Sequence, residues 1–169
     1  MGQAKDSSQH STSLQDEITR LEVKLLELEQ KMEHLIQVER NHLIRVKNKE
    51  NLPDDFLNQG KTYLDLTPEK ACKLYNDKDY DFILIDVSAQ DYRPMTHFPE
   101  ALQIPWEEFS ERFHEIQSKT IPLLIISEDG TNSVLACQFL AKRGYFNCNN
   151  ISGGYKFWKG LKLEETKSA

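Results

Sequence analysis

A run of four large apolar residues, Leu123 to Ile126, constrains the fold of this chain more than any other feature of its sequence. Its length and composition predict a buried strand. A loop with one glycine (residues 127–133) follows, and a helical pattern then runs from Val134 to Leu140. In a strand–loop–helix unit, backbone N–H groups point into a cup, and the helix dipole favours an anion there. A thiolate at the strand end would be stabilised by such a cup, but this position holds Ser127.

The rest of the C-terminal part contains four more distinctive segments. In chain order they are Thr67-Pro68-Glu69, an apolar run ending in Asp86-Val87-Ser88, His97-Phe98-Pro99-Glu100-Ala101, and Gly153-Gly154 with Trp158. Together with the loop, they resemble the rhodanese-like (thiosulfate sulfurtransferase-like) family. In that family a strand ending in Asp-Val-Arg, a His-Ile-Pro-Gly-Ala turn, a cysteine-containing loop and a Gly-Gly…Trp segment follow in this order. The resemblance covers roughly residues 61 to 161, and it implies an α/β fold with a rhodanese-like sheet covered by helices on both faces.

The residues that carry the chemistry of the family differ in this chain. The resemblance aligns the catalytic cysteine with Ser127. Two acids, Glu128 and Asp129, take the place of small or basic loop residues. Asn132 and Ser88 take the place of arginines, and Glu100 takes the place of a glycine. A serine hydroxyl cannot carry a persulfide, which requires a thiolate, and it attacks only beside a positioned base. Two acids also repel anionic substrates. We therefore expect no catalytic residue, no cofactor and no metal.

We expect the same loop to act as a binding surface, formed by Ser127, Glu128, Asp129, Gly130, Thr131 and Asn132. The two acids are predicted to accept N–H bonds from Gly130 to Ser133, which would turn an anion receptor into an acidic contact for a basic partner patch. In the alternative interpretation, they are solvated loop acids without a role. The Asp86 carboxylate is predicted to accept N–H bonds from the loop that follows it.

The N-terminal part contains an apolar seam whose members recur at alternating steps of four and three: Leu14, Ile18, Leu21, Leu25, Leu28, Met32 and Leu35. This heptad pattern is typical of a coiled coil. A helix that packs on a globular core usually carries a wider apolar stripe, whereas the positions beside this seam are charged or polar in the first three heptads. The pattern favours a homodimer, and the alternative is a single helix folded back on the domain.

These patterns divide the chain into five segments: a disordered polar tail (1–12), a coiled-coil helix (13–50), a linker (51–61), a rhodanese-like domain (62–162) and a second disordered tail (163–169). We interpret His42 and the basic run from Arg45 to Lys49 as solvated parts of the helix. Within the domain, the expected strands are 62–64, 82–86, 102–104, 123–126 and 148–151. The expected helices begin at Pro68, with Thr67 as N-cap, and span 106–116, 132–143 and 155–161.

Charge and cysteine content limit the possible functions. A net charge of −6 argues against nucleic acid as a main partner, because phosphate binding needs clustered basic residues. No apolar stretch is long enough for a membrane span, and we see no secretory signal. Three cysteines without a CxxC pair suit a reducing compartment, and we expect a cytoplasmic location. Cys137 is interpreted as an inert core thiol, and Cys148 as a more exposed one.

Three functions are consistent with these observations. The favoured one is a catalytically inactive rhodanese-like interaction or regulatory module that self-associates through its coiled coil and binds an unidentified protein partner. The second is an enzyme or sulfur carrier with relocated chemistry, which uses Cys148 or a serine mechanism at Ser127. The third is a coiled-coil scaffold in which the domain is a terminal cap. Fold alone does not choose among them.

Overall fold

The computed structural model describes residues 4–94 and 98–158. Its helices are α1 (Ala4–Lys47), α2 (Asp54–Gln59), α3 (Pro68–Tyr75), α4 (Phe109–Arg112, between two 3₁₀ turns), α5 (Thr131–Lys142) and α6 (Gly154–Phe157). The strands are β1 (Tyr63–Leu66), β2 (Ile83–Asp86), β3 (Leu102–Gln103), β4 (Leu123–Ile126) and β5 (Cys148–Ile151). They form one parallel sheet in the order β1-β5-β4-β2-β3.

The central strands are apolar on both sides because helices cover both faces of the sheet. On one face, Ile125 and its neighbours pack with Phe109 of α4 and Leu140 of α5. On the other face, Leu124 packs in a cluster with Ala71 of α3 and with Trp158. The predicted α/β sheet with helices on both faces is therefore confirmed.

Several element boundaries agree with the sequence prediction. β4 and β5 have the predicted limits, and Thr67 caps α3 by accepting the N–H of Lys70 at 3.4 Å. The predicted helix over 106–116 is instead a short α-helix between 3₁₀ turns. α6 ends at Phe157. His97, the end of the predicted last helix and the predicted tail over 163–169 lie outside the described residues.

Residues 1–36 form one unit by themselves, in which α1 is the described element. The helix begins at Ala4, so the start predicted at Ser13 is wrong; a stretch without proline or glycine from residue 4 onward lets the helix extend further. The seven seam residues are 49–62% exposed in the single chain. None of the helices within the described residues is long and apolar enough to cross a membrane.

Residues from 37 onward form the second unit, which contains the last turns of α1 as well as the sheet. Val38, Asn41 and Arg45 are buried and lie on one face of the helix, since they are three and four residues apart. The interpretation of Arg45 as part of a solvated helix end is wrong, because its guanidinium finds buried partners. α2, in the segment predicted as linker, contributes the buried ring of Phe56, on which His42 packs with 5.1 Å between ring centroids.

Candidate functional site

Ser127 follows β4 and lies at the centre of the loop of residues 127–133, here called the Ser127 loop. Its side chain is fully buried. Its hydroxyl Oγ accepts the backbone N–H of Gly130 at 3.1 Å and that of Ser133 at 3.2 Å. These N–H groups at the start of α5 are the donors that would otherwise face an anion. The cup is therefore occupied by a neutral hydroxyl that belongs to the loop itself.

The Ser127 hydroxyl donates into a chain of hydrogen bonds. The Oγ atoms of Ser127 and Ser133 are 3.2 Å apart, and Ser133 Oγ donates to Asn150 Oδ1 at 2.7 Å. Asn150 Nδ2 in turn donates to the carboxylate of Asp65 at 2.8 Å. Ser133 therefore accepts the Ser127 proton, and the next group is an amide, which is not a base. Among the described residues, no base contacts Ser127 Oγ, and the geometry gives no support to a serine nucleophile.

Both acids of the loop accept backbone N–H groups, and for Asp129 the donor, Thr131, lies within the predicted range of residues 130–133. Glu128 Oε1 accepts the N–H of Ala89, from the loop after β2. Asp129 Oδ1 accepts the N–H of Thr131 at 2.9 Å, and this bond is the main cause that lowers the pKa of Asp129. The prediction that both acids fill the cup is wrong for Glu128, because the Ser127 hydroxyl already binds the N–H groups that point inward. Glu128 instead joins two loops at the carboxyl end of the sheet.

Glycines allow the Ser127 loop and the start of α6 to pack backbone against backbone. A Cβ on Gly154 would lie 1.9 Å from the carbonyl oxygen of Ser127, and one on Gly130 would lie 2.8 Å from the nitrogen of Gly153. All three glycines also have positive φ angles, which other residues rarely adopt. The N–H of Tyr155 then donates to the Ser127 carbonyl at 2.9 Å. The Gly-Gly segment therefore holds the loop in place.

Asp86 lies beside the Ser127 loop at the end of β2. Its Oδ1 accepts the N–H of Ser88 at 2.9 Å, so the predicted bond to the following loop is confirmed. Its Oδ2 accepts the hydroxyl of Tyr155 at 2.8 Å, and burial together with this carboxylate raises the pKa of Tyr155. The sequence did not point to Tyr155 or Asn150 as partners of the site, because their contacts join separate elements.

Cys148 lies at the start of β5 and is fully buried. Burial raises the pKa of its thiol to about 12. The expectation that Cys148 is exposed is wrong: β5 is an interior strand between β1 and β4, and the polar residues around Cys148 are buried with it. A reactive cysteine needs an accessible thiolate, and this thiol is neither accessible nor ionised at neutral pH. Cys137 is buried in the core as predicted.

Comparison with known proteins agrees with the fold. Residues 67–161, more than half of the chain, match the model of the rhodanese-like domain, and the chain belongs to this family. The adenylyltransferase and sulfurtransferase UBA4 of Yarrowia lipolytica is 30% identical over 94 residues, which cover 55% of this chain and 23% of that protein. The thiosulfate sulfurtransferase GlpE of Coxiella burnetii (strain RSA 331 / Henzerling II) is 28% identical over 82 residues, which cover 48% of this chain and 76% of that protein.

Two solved structures share the fold. A rhodanese-like domain protein from Staphylococcus aureus has a TM-score of 0.50 and 22% identity over 60% of this chain and 96% of its own. The rhodanese-like domain of the Anabaena Alr3790 protein has a TM-score of 0.51 and 16% identity over 62% of this chain and 84% of its own. The chain spans less than a quarter of the length of the UBA4 relatives that it matches.

Proposed function

We propose that this chain is a catalytically inactive rhodanese-like module that binds a protein partner through the Ser127 loop and self-associates through α1. The observation that carries the proposal is the position of the Ser127 hydroxyl. It is buried at the place where the family resemblance puts the catalytic cysteine, and it binds the N–H groups of the cup itself. A neutral oxygen in that position neither stores a sulfane sulfur nor leaves the cup open for thiosulfate.

Electrostatics support a basic partner. Asp129 is exposed, and its lowered pKa keeps the carboxylate ionised. Glu128 is fixed by the N–H of Ala89 and stands close to Asn132, with 3.5 Å between Oε2 and Nδ2. Two acids held in fixed positions attract a basic patch and steer its approach. Within the predicted binding loop, the residues that would contact the partner are the exposed Asp129 and Thr131 and the half-buried Glu128 and Asn132. Ser127 and Gly130 are buried beneath them and would support this surface.

Exposure of the apolar seam supports self-association. A heptad seam that stays 49–62% exposed in a single chain leaves a long apolar stripe in water, and a second copy of the helix would cover it. The seam spans about three heptads, close to the lower limit for a two-stranded coiled coil. We therefore expect a reversible dimer, measured as a concentration-dependent mass by light scattering. A monomer at high micromolar concentration would contradict this part of the proposal.

The inactivity is tested in a thiosulfate:cyanide sulfurtransferase assay. We expect the wild-type chain to give no turnover above a no-enzyme blank, and Ser127→Cys to restore little, because Glu128 and Asp129 still repel the anion. The triple variant Ser127→Cys/Glu128→Gln/Asp129→Asn separates the missing thiol from the loop charges. Robust wild-type turnover that Cys148→Ser abolishes would establish relocated chemistry instead.

Partner binding is tested separately. The double variant Glu128→Gln/Asp129→Asn should weaken partner binding, most strongly at low salt.

A further inference from the structure

The last turns of α1 are bound to the sheet by a buried arginine. Arg45 is fully buried and is the largest side chain in this class. Its Nη2 donates to the carbonyl oxygen of Cys148 at 2.7 Å, and its Nη1 donates to Asn149 Oδ1 at 2.8 Å. Nη1 also forms an ion pair with Glu50 at 2.9 Å, and Nε donates to Asn41 Oδ1 at 3.2 Å. Each nitrogen of the guanidinium therefore has an acceptor.

Residues near Arg45 also provide hydrogen-bond partners for polar groups of Asn147, just before β5. The N–H of Asn147 donates to Asn41 Oδ1 at 2.9 Å, and the Asn147 side chain donates to Glu50. Asn147 and Asn149 are buried, so these groups have no access to water once the helix is in place. We call the five residues the Arg45 cluster: Asn41, Arg45, Glu50, Asn147 and Asn149. Removal of the side chains of Asn41 and Arg45 would take these partners from three buried groups: the Asn147 N–H, the Cys148 carbonyl oxygen and Asn149 Oδ1.

One helix carries both the Arg45 cluster and the apolar seam, since α1 runs without a break from Ala4 to Lys47. The first turn of a helix is costly to form, whereas each further residue adds a hydrogen bond. The Arg45 cluster holds residues 41–45 helical and so supplies the nucleus. From this nucleus the helix can extend toward residue 14, where the seam begins. A helix of about three heptads that is marginal alone is then preformed for pairing.

We propose that dimer formation and folding of the rhodanese-like domain are coupled through the Arg45 cluster. This inference rests on the proposed self-association. A dimer that forms only when α1 is helical stabilises the docked helix, and the docked helix stabilises the domain. Linkage between the two equilibria is reciprocal. If loss of the Arg45 cluster raises the dimer Kd by a certain factor, loss of the dimer lowers the equilibrium constant for forming the cluster by the same factor.

The experiment uses the full chain, whose two tryptophans, Trp106 and Trp158, both lie in the domain and report only on its unfolding. Tryptophan fluorescence is followed during thermal unfolding at about 1 µM and about 100 µM protein, and we expect Tm to rise by about 3 °C with concentration. The seam variant Leu21→Glu/Leu28→Glu should be monomeric, and its Tm should not depend on concentration.

Two arginine variants test the cluster itself. Arg45→Met should raise the dimer Kd, measured by sedimentation equilibrium, by about tenfold or more. Arg40→Met is the matched control, because Arg40 is on the same helix and exposed, and its Kd should not change. If Arg45→Met does not fold, Arg45→Lys, which keeps the charge and loses the planar fork, takes its place.

The outcomes separate the two proposals. A wild-type dimer whose domain Tm is independent of concentration, with equal Kd values for the Arg45 and Arg40 variants, overturns the coupling and leaves self-association intact. A chain that is monomeric at every concentration overturns the self-association and the coupling with it. A rise of Tm with concentration that disappears in the seam variant, together with a weaker dimer in the Arg45 variant alone, supports the coupling.

Discussion

At the carboxyl end of β4, the hydroxyl of Ser127 bonds to neighbours three and six residues away in the chain. At the amino end of β5, Arg45 bonds to residues 103 and 104 positions away. The Ser127 hydroxyl thus finds its direct partners within one loop, whereas Arg45 finds partners in the sheet only when the helix and the sheet have come together. The proposed loss of catalysis at the Ser127 loop therefore leaves the fold intact, but loss of the Arg45 cluster removes a contact on which the domain depends.

The two clusters also differ in their relation to the family. The Ser127 loop lies inside the range 67–161 that matches the rhodanese-like domain, and so do Asn147 and Asn149. The helix residues of the Arg45 cluster, Asn41 and Arg45, lie outside that range. A fragment that contains only the matched range would expose the buried asparagines of β5 without their partners.

The largest effect is expected from Arg45→Met. Breaking a buried ion pair by removing one partner costs about 3–5 kcal/mol, and here two asparagines and a carbonyl oxygen also lose a donor. The matched surface variant is Arg112→Met, because Arg112 pairs with Glu108 and Glu115 at 35% exposure and such pairs contribute up to about 1 kcal/mol. Urea unfolding measures both. Equal losses for the two arginines would remove the distinction between the Arg45 cluster and an ordinary surface ion pair.

Gly154→Ala tests the packing that holds the Ser127 loop. The left-handed backbone costs about 1–2 kcal/mol for alanine, and contact with the Ser127 carbonyl adds about 1–3 kcal/mol for overpacking. Gly144→Ala is the control, since Gly144 also has a positive φ but no atom lies within 4 Å of the added Cβ. The free energy of unfolding should fall more for the Gly154 variant. If both variants lose the same amount, the close approach of α6 to the loop is not what positions it.

Ser127→Ala tests whether the cup depends on its own hydroxyl. Two buried N–H groups, of Gly130 and Ser133, would lose their acceptor, at a cost of about 1–3 kcal/mol. In Ser118→Ala, another hydroxyl that accepts two N–H bonds is removed, from a half-buried turn that water reaches, so a smaller loss is expected. Thermal unfolding compares the two variants. A Ser127 variant as stable as wild type would mean that the cup is held by the glycine contacts alone.

The smallest effect is the pH dependence of the Arg45 region. Burial and the nearby Arg45 lower the pKa of His42, so the unfolded chain binds its proton more tightly than the folded one. The folded state therefore loses stability as pH falls below about 6.5. Between about pH 7 and about pH 5.5, His42→Gln should lose less stability than wild type. Parallel curves for the two chains would contradict a half-buried His42 with a lowered pKa.

Local signals explain what the sequence predicted correctly. The apolar run of β4 and the Thr67 cap depend on neighbouring residues, and both are confirmed. The Arg45 cluster was missed because a basic residue near the end of a helix ordinarily faces water, and nothing in the adjacent sequence indicates a partner one hundred residues away. The exposure of Cys148 was misjudged for a related reason, since its asparagine neighbours are polar but are satisfied inside the sheet by the helix. The sequence did not indicate which N–H the Glu128 carboxylate binds, because the donor, Ala89, belongs to a different loop.

The sequence separation within the Arg45 cluster has a consequence for the synthesis of the chain. A ribosome that adds about 5–20 residues per second reaches Asn149 roughly 5–20 s after Arg45. During that interval, α1 has left the ribosome without the strand that will cover its arginine. Its seam consists only of residues made earlier, but under the proposed coupling the helix that carries the seam is held only after β5 has reached Arg45. Pairing of two chains would then follow completion of the domain, and a nascent chain that lacks β5 would pair weakly.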